Sequence, residues 1–203
     1  MDKIISQSKY SRKQHKDFYT FHLLKRSGTV KFLAAIVVLM LFVAITSTFN
    51  KDFTIKKDEI NSIVFSWIMF AFSLSIIPIL IITRINNVVK KETPERIKST
   101  EKIEVTKIKF VRSNDQIEGK AVFGWRDIQT VCETDKYFYI YLSDENGVFI
   151  VKEDIIEGDV ESFRKLAETN LKRDKKGKIP YKRYGQVKKE YNALKKEEKK
   201  NRK

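Results

Sequence analysis

The side chains in this chain that could support chemistry are few, and they form no catalytic or metal-binding motif. His15 and His22, the only histidines, lie seven residues apart and could share a helical face, but no cysteine or acidic residue completes a ligand set. Cys132 is the single cysteine, which excludes an intramolecular disulfide. A reactive thiol needs a nearby base or helix N-terminus, and neither is evident in the sequence. We expect titrating or structural histidines and a packing role for the thiol.

Acidic residues give no further indication of an active site. Asp127, Glu133 and Asp135 lie close together in the sequence, but acids at strand ends and turns are common. Glycine-rich phosphate loops, Gly-x-Ser-x-Gly and His-Glu-x-x-His are absent from the sequence. We therefore expect no enzymatic activity, no catalytic residue, no cofactor and no bound metal.

A strongly alternating stretch, "KYFYIYLSD", predicts a β-strand in which Phe138, Ile140 and Leu142 point to one face. The opposite face is either a partly exposed interaction surface or a layer that covers the sheet against the closing helix or the membrane interface. This candidate interaction face consists of Tyr137, Tyr139 and Tyr141.

Two long apolar stretches must position everything else. Phe32–Phe49 and Ser62–Thr83 contain no charged residue over 18 and 22 residues. As helices they would be about 27 and 33 Å long, close to the roughly 30 Å of a hydrocarbon core. Without ionisable groups they offer no proton relay or charged ion path. The sequence therefore predicts a hairpin of two transmembrane helices in a cell-membrane protein.

The distribution of basic residues predicts how the hairpin is oriented. Eight Lys or Arg residues precede the first span, and only three lie in the connecting loop, residues 50–61. The positive-inside rule then places both termini in the cytoplasm. The expected order is a basic cytoplasmic segment at 1–31, the hairpin at 32–83 and a linker at 84–99.

Residues 100–171 read as a soluble α+β domain. "KIEVTKIKFV" alternates, so Ile103, Val105, Ile108 and Phe110 are expected to be buried, with a bulge or turn between them. Asn146-Gly147 predicts a tight hairpin turn with positive φ angles. After it, Asp159 is a candidate N-cap for an amphipathic helix with Val160, Phe163, Ala167 and Leu171 on one face. We expect a small bent antiparallel sheet capped by that helix.

Two stretches carry a family resemblance. "DFYTFHLLKRS" before the hairpin, and "GWRDIQTVCETDKYFYIYLSDENGVFIVKEDI" with its Trp125-x-x-Ile128 motif, resemble bacterial YcxB-like membrane proteins. Ile150-Val151-Lys152 stands where that family has Ile-Pro-Lys. The resemblance runs from Asp17 to about Leu171. It implies a cytoplasmic domain similar to a bacterial pleckstrin-homology (PH-like) fold, and it transfers no catalytic residue.

The last segment, residues 172–203, is dense in lysine, with fifteen basic and four acidic residues. We expect it to be disordered or weakly helical in water. Beside an anionic inner leaflet each nearby cation would contribute about 1 kcal/mol, and nucleic acid would attract it by the same electrostatics. The candidate contacts to an anionic surface are Lys172, Arg173, Lys175, Lys176, Lys178, Lys182, Arg183, Lys188, Lys189, Lys195 and Lys196.

Three functions fit this sequence. The first is a membrane-anchored interaction module that binds an unknown protein or a headgroup, with the lysine-rich tail on anionic lipid and self-association as a further option. The second is an immunity protein against a membrane-active bacteriocin, by analogy of fold alone. The third is nucleic-acid binding through the tail.

Overall fold

The computed structural model describes residues 3–49, 53–55, 59–91, 99–144 and 146–201. The chain divides into two compact units. One, here called the hairpin unit, comprises Arg12–Glu92. The other, the sheet unit, comprises Met1–Ser11 and Thr93–Lys203, and it is therefore discontinuous in sequence.

Most described residues of the hairpin unit are helical, and Phe49 and Ile55 form an isolated antiparallel bridge outside the helices. Helix α1, Arg12–Phe21, continues into a π-helical turn, His22–Arg26. Helix α2, Gly28–Thr48, begins where the side chain of Ser27 accepts a hydrogen bond from the backbone of Thr29 at 3.2 Å. This N-cap satisfies one of the free amides of the first turn. Helix α3 runs from Ile60 to Lys90.

Helices α2 and α3 are long and apolar enough to cross a membrane. They pack against each other, and Trp67 Nε1 donates to Thr48 Oγ1 at 2.9 Å. Ser66 and Ser73 are buried, and their hydroxyls donate hydrogen bonds to backbone carbonyls of the same helix. Such small residues let two helices approach closely.

The sheet unit contains two sheets. In the first, the strand order is β4-β3-β2-β1-β8, and each neighbouring pair is antiparallel. In the second, the order is β7-β6-β5-β9, with β9 parallel to β5 and the other pairs antiparallel. The strands are β1 Lys3–Lys9, β2 Thr100–Thr106, β3 Lys109–Asn114, β4 Lys120–Gly124, β5 Thr130–Glu133, β6 Tyr137–Tyr141, β7 Gly147–Val151, β8 Ile155–Glu157 and β9 Tyr181–Arg183.

Helix α4, Val160–Asn170, closes the core of the sheet unit. Asp159 caps it by accepting from Ser162 N at 2.6 Å, as the sequence predicts. Phe163 lies 4.3 Å from the ring of Phe138, and Trp125 packs edge-on against Phe110 at 4.6 Å. A short 3₁₀ turn after Gly124 brings both members of the Trp-x-x-Ile motif into this core. The α+β architecture predicted from the sequence is confirmed at this level.

The hairpin unit is inserted between two adjacent strands of one sheet. Lys9 pairs with Thr100 across β1 and β2, and Tyr10 N donates to Ser99 O at 2.9 Å. The sequence predicts only a basic segment at 1–31 and no strand within it. Ile4 and Ile5 are buried in β1, so the N-terminus supplies a strand with apolar side chains rather than a solvated basic arm.

Several local expectations need correction. The expected single antiparallel sheet is two sheets, one with a parallel pair. Ile108 is 81% exposed, because a turn between β2 and β3 removes it from the alternating pattern that buries Phe110. Gly147 does not have the positive φ that the turn prediction gave it. Glycine is required at 147 because a Cβ there would lie 2.8 Å from the carbonyl oxygen of Ile140.

Candidate anionic-surface site

The most concentrated positive charge outside the apolar helices lies in a turn that we call the basic turn, residues 172–178. Asp174 organises it: its Oδ1 accepts from the backbone amides of Lys176 and Lys178, both at 2.8 Å. Gly177 has a φ of +74°, a left-handed conformation that glycine adopts without strain. Arg173 Nη1 donates to Gly177 O at 2.9 Å. The turn is therefore held by its own hydrogen bonds, and its cations project from a defined backbone.

The five cations of the basic turn are all exposed. Within the described part of the chain, no salt bridge neutralises any of them. A cluster of this kind keeps its charge available to an anionic surface. Its members are Lys172, Arg173, Lys175, Lys176 and Lys178.

A buried carboxylate fixes the segment that follows the basic turn. Glu133, at the end of β5, has no exposed side-chain surface. Its Oε1 accepts from Lys152 Nζ at 2.7 Å and from Arg164 Nη2 at 2.6 Å. Its Oε2 accepts from the hydroxyl of Tyr181 at 2.9 Å and lies 3.6 Å from Arg183 Nε. One carboxylate thus joins β5, α4 and β9.

Burial opposes ionisation of Glu133, but the hydrogen bonds from Arg164 and Lys152 outweigh it and hold the pKa of the carboxyl below its ordinary value. Burial, followed by the nearby Glu133 charge, raises the pKa of Tyr181. Burial alone would lower the pKa of Arg164, yet its bond to Glu133 raises it. The network therefore consists of an ionised carboxylate, charged bases and a protonated phenol.

Arg183 is a structural member of this network rather than a surface contact. Its side chain is only 12% exposed and its Nη2 donates to Glu168 at 2.6 Å. The guanidinium also stacks on Tyr181 at 4.7 Å and on Tyr191 at 3.8 Å. Its assignment as an anionic-surface residue is corrected, because both of its faces and its charge are already used within the fold.

The remaining predicted contacts follow the network in the chain. Helix α5, Gly185–Asn201, begins just after β9. Backbone bonds hold the approach to it: Val131 N donates to Pro180 O and Tyr184 N donates to Glu133 O, both at 2.9 Å. Residues 172–201 thus include a strand and a helix, where disorder or weak helicity was expected. Exposed on β9 or α5 are Lys182, Lys188, Lys189, Lys195 and Lys196.

The tyrosine side chains of β6 do not form an exposed face. Tyr137, Tyr139 and Tyr141 are 8, 2 and 0% exposed. Tyr137 stacks on Tyr139 at 5.4 Å and meets Phe149 edge-on at 6.0 Å. Strand alternation predicts which residues share a face, but it does not reveal whether that face is covered. Burial excludes these three side chains as an open contact surface.

Comparison with known proteins gives one match. Residues 109–167 match the family model described as YcxB-like protein. The resemblance identified from the sequence is thereby confirmed over β3 to α4, and the "DFYTFHLLKRS" stretch lies outside the matched residues. No curated protein and no solved structure matches the chain.

The segment that matches the YcxB-like family includes Glu133, but Tyr181 and Arg183 of β9 lie outside it. Sequence reasoning treated Glu133 as a routine strand-end acid. The position of Glu133 in the strand could have indicated its burial. Glu133 follows the buried Val131 by two positions, so both side chains point to the same side of β5. A carboxylate at such a position needs cationic partners, but Arg164 and Arg183 lie too far along the chain to be identified from spacing.

Proposed function

We propose that the protein is a non-enzymatic, membrane-anchored module that presents the sheet unit at the cytoplasmic face and contacts anionic lipid through the basic turn and helix α5. The observation that carries this proposal is the basic turn itself, five exposed cations on a backbone held by Asp174. A solvated tail would need no such internal order. An additional protein partner on the sheet unit, and a PH-like identity for it, belong to the same proposal.

The proposed two-span anchor is supported by the pairing of β1 with β2. The residues that enter and leave the hairpin unit are hydrogen-bonded neighbours, Tyr10 and Ser99. A single span would separate its ends by about 30 Å of hydrocarbon, which is incompatible with this pairing. An even number of crossings keeps both ends on one side, and the positive-inside rule makes that side the cytoplasm.

The hydrogen bonds around Glu133 support the proposal that the protein is not an enzyme. Glu133 is the fully buried carboxylate of the described chain, and its oxygens are occupied by Lys152, Arg164 and Tyr181. A general base must be free to take a proton near neutral pH. A carboxylate with a lowered pKa and committed oxygens instead stabilises the fold.

The test uses the full-length protein in neutral phosphatidylcholine nanodiscs, mixed with sedimentable vesicles of phosphatidylcholine alone or with phosphatidylglycerol. We expect binding to the anionic vesicles only. Replacing the four lysines of the basic turn by glutamine should weaken it by at least about 100-fold, since each contributes about 1 kcal/mol. The four lysines are Lys172, Lys175, Lys176 and Lys178.

A matched control removes four exposed lysines from the rest of the sheet unit, which leaves the basic turn intact. Its binding should change little. Equal losses in both variants, or equal binding to neutral and anionic vesicles, would contradict the proposal. Displacement by duplex DNA well below the concentration of competing lipid would favour nucleic acid as the target. The control lysines are Lys107, Lys109, Lys120 and Lys136.

A further inference from the structure

The hairpin unit contains a groove of about 550 Å³ beside the start of α2 and the end of α3. Its volume falls within the range of small-molecule sites, roughly 300–1,000 Å³. One wall follows a single face of α3 from Leu80 through Arg84 to Lys91, about 16 Å along the helix axis. The other wall includes Thr29 and Leu33 of α2.

The groove changes character along its length. Leu33, Leu80 and Ile81 line the end that lies within the apolar spans, whereas Arg84 and Lys91 line the other end. This gradient from hydrocarbon to cation matches an amphiphile lying parallel to the spans. A free phosphate ion would use only the cationic end.

A small apolar cluster borders the groove and shares Leu23 and Ile81 with its lining. Leu23 of the π-helical turn is buried against Ile85 and Val89 of α3, with Val30 of α2 packed on the same cluster. These contacts pack the turn against both helices. Because Ile85 and Val89 occupy one face of α3, the adjacent face is left to line the groove.

The positive charge of the groove has no acidic counterpart among its lining residues. Arg84 and Lys91 are exposed, and no salt bridge involves either of them within the described part of the chain. Basic pockets between transmembrane helices on the cytoplasmic side favour anionic headgroups. Charge complementarity therefore selects an anionic occupant, and the apolar wall selects one with an acyl chain.

We propose that this groove binds one anionic phospholipid, with an acyl chain along Leu33, Leu80 and Ile81 and its phosphate between Arg84 and Lys91. The site is separate from the basic turn and belongs to the other unit of the chain. It would make the anchor selective for the lipid at its cytoplasmic end, whatever the sheet unit binds.

The experiment is native mass spectrometry of the full-length protein released from detergent micelles, titrated with phosphatidylglycerol or phosphatidylcholine. We expect one retained phosphatidylglycerol and no retained phosphatidylcholine. The Arg84→Gln/Lys91→Gln variant should weaken phosphatidylglycerol retention by about tenfold or more. Val88→Phe, which fills the groove and leaves its charges in place, should do the same.

The matched control is Lys31→Gln/Lys90→Gln, which removes two exposed charges near the same helix ends but outside the groove. It should retain the lipid as the native protein does, and inorganic phosphate should not displace it. Equal loss in the two charge variants, unchanged retention in Val88→Phe, equal retention of both lipids, or displacement by phosphate would overturn the assignment. All three variants keep the lysines of the basic turn, so their outcome is independent of the proposed function.

Discussion

Replacing Glu133 by glutamine tests whether one buried charge holds the basic segment on the sheet unit. The substitution preserves shape but leaves Lys152, Arg164 and Arg183 without their shared counter-ion. Their side chains are only 11, 23 and 12% exposed. Breaking a buried ion pair costs about 3–5 kcal/mol, and partial hydration of the three cations places this case at the lower end, about 3 kcal/mol.

Hydrogen exchange measures this loss where it should occur. The amides of Val131 and Tyr184 bond to Pro180 and Glu133 across the β5–β9 junction. If they exchange through local opening, a loss of about 3 kcal/mol accelerates them by roughly 100-fold or more. The full-length protein in nanodiscs is the sample, and amides within β2 and β3 serve as internal references.

Glu161→Gln is the matched control. Glu161 also pairs with Arg164, but its side chain is 63% exposed, and exposed pairs contribute about 1 kcal/mol or less. Exchange at the junction should change less than tenfold. The reasoning fails if Glu133→Gln leaves the two amides protected, or if both substitutions accelerate them equally.

Three other predictions concern pH, the phenol and topology. The pKa of Glu133 in the folded protein lies below 4.5, so its contribution to stability is complete above pH 4.5 and is lost as the pH falls through the folded pKa. Hydrogen exchange at the β5–β9 junction, corrected for intrinsic rates, should therefore accelerate at low pH in the native protein. The Glu133→Gln variant should not show this acceleration. Tyr181→Phe should cost about 1–2 kcal/mol in denaturant unfolding. The pKa of Tyr181 is raised above 10.0 in the folded protein, so the native protein should become less stable as alkaline pH ionises this phenol. The Tyr181→Phe variant has no phenol to ionise and should not show this loss of stability. If the variant shows the same alkaline transition, the assignment to Tyr181 is contradicted. An impermeant maleimide should label Thr54→Cys in intact cells and Gln186→Cys only after permeabilisation, with the buried Cys132 unlabelled; the reverse order would refute the proposed orientation.

Local features of the fold follow from local sequence. The two apolar helices could be predicted because a long uncharged run has one stable form in a bilayer, the helix. The N-cap at Asp159 and the buried stripe of α4 depend on neighbours within a few residues. Ile108 shows the limit of this reasoning, since a turn of a few residues changes which side chains face the core.

Long-range pairings could not be predicted in this way. The strand β1 pairs with β2 across the inserted hairpin unit, Arg12–Glu92, and its buried residues Ile4, Ile5 and Ser6 are consecutive rather than alternating. The parallel pair of β9 with β5 lies beside Glu133, whose partners Lys152, Arg164 and Arg183 come from three separate elements. Such contacts depend on loop closure and burial, for which spacing in the chain carries no signal.

The sequence by itself determined the apolar hairpin, the α+β domain and the lysine-rich end, because hydrophobicity and charge act on each segment wherever it lies. Only the tertiary structure decided which charges remain available. It engaged Arg183 in the Glu133 network, buried the β6 tyrosines, exposed the basic turn and brought Arg84 and Lys91 to one groove. Exposure and pairing are properties of the folded surface, since they depend on which distant residues lie within a few ångströms of a side chain.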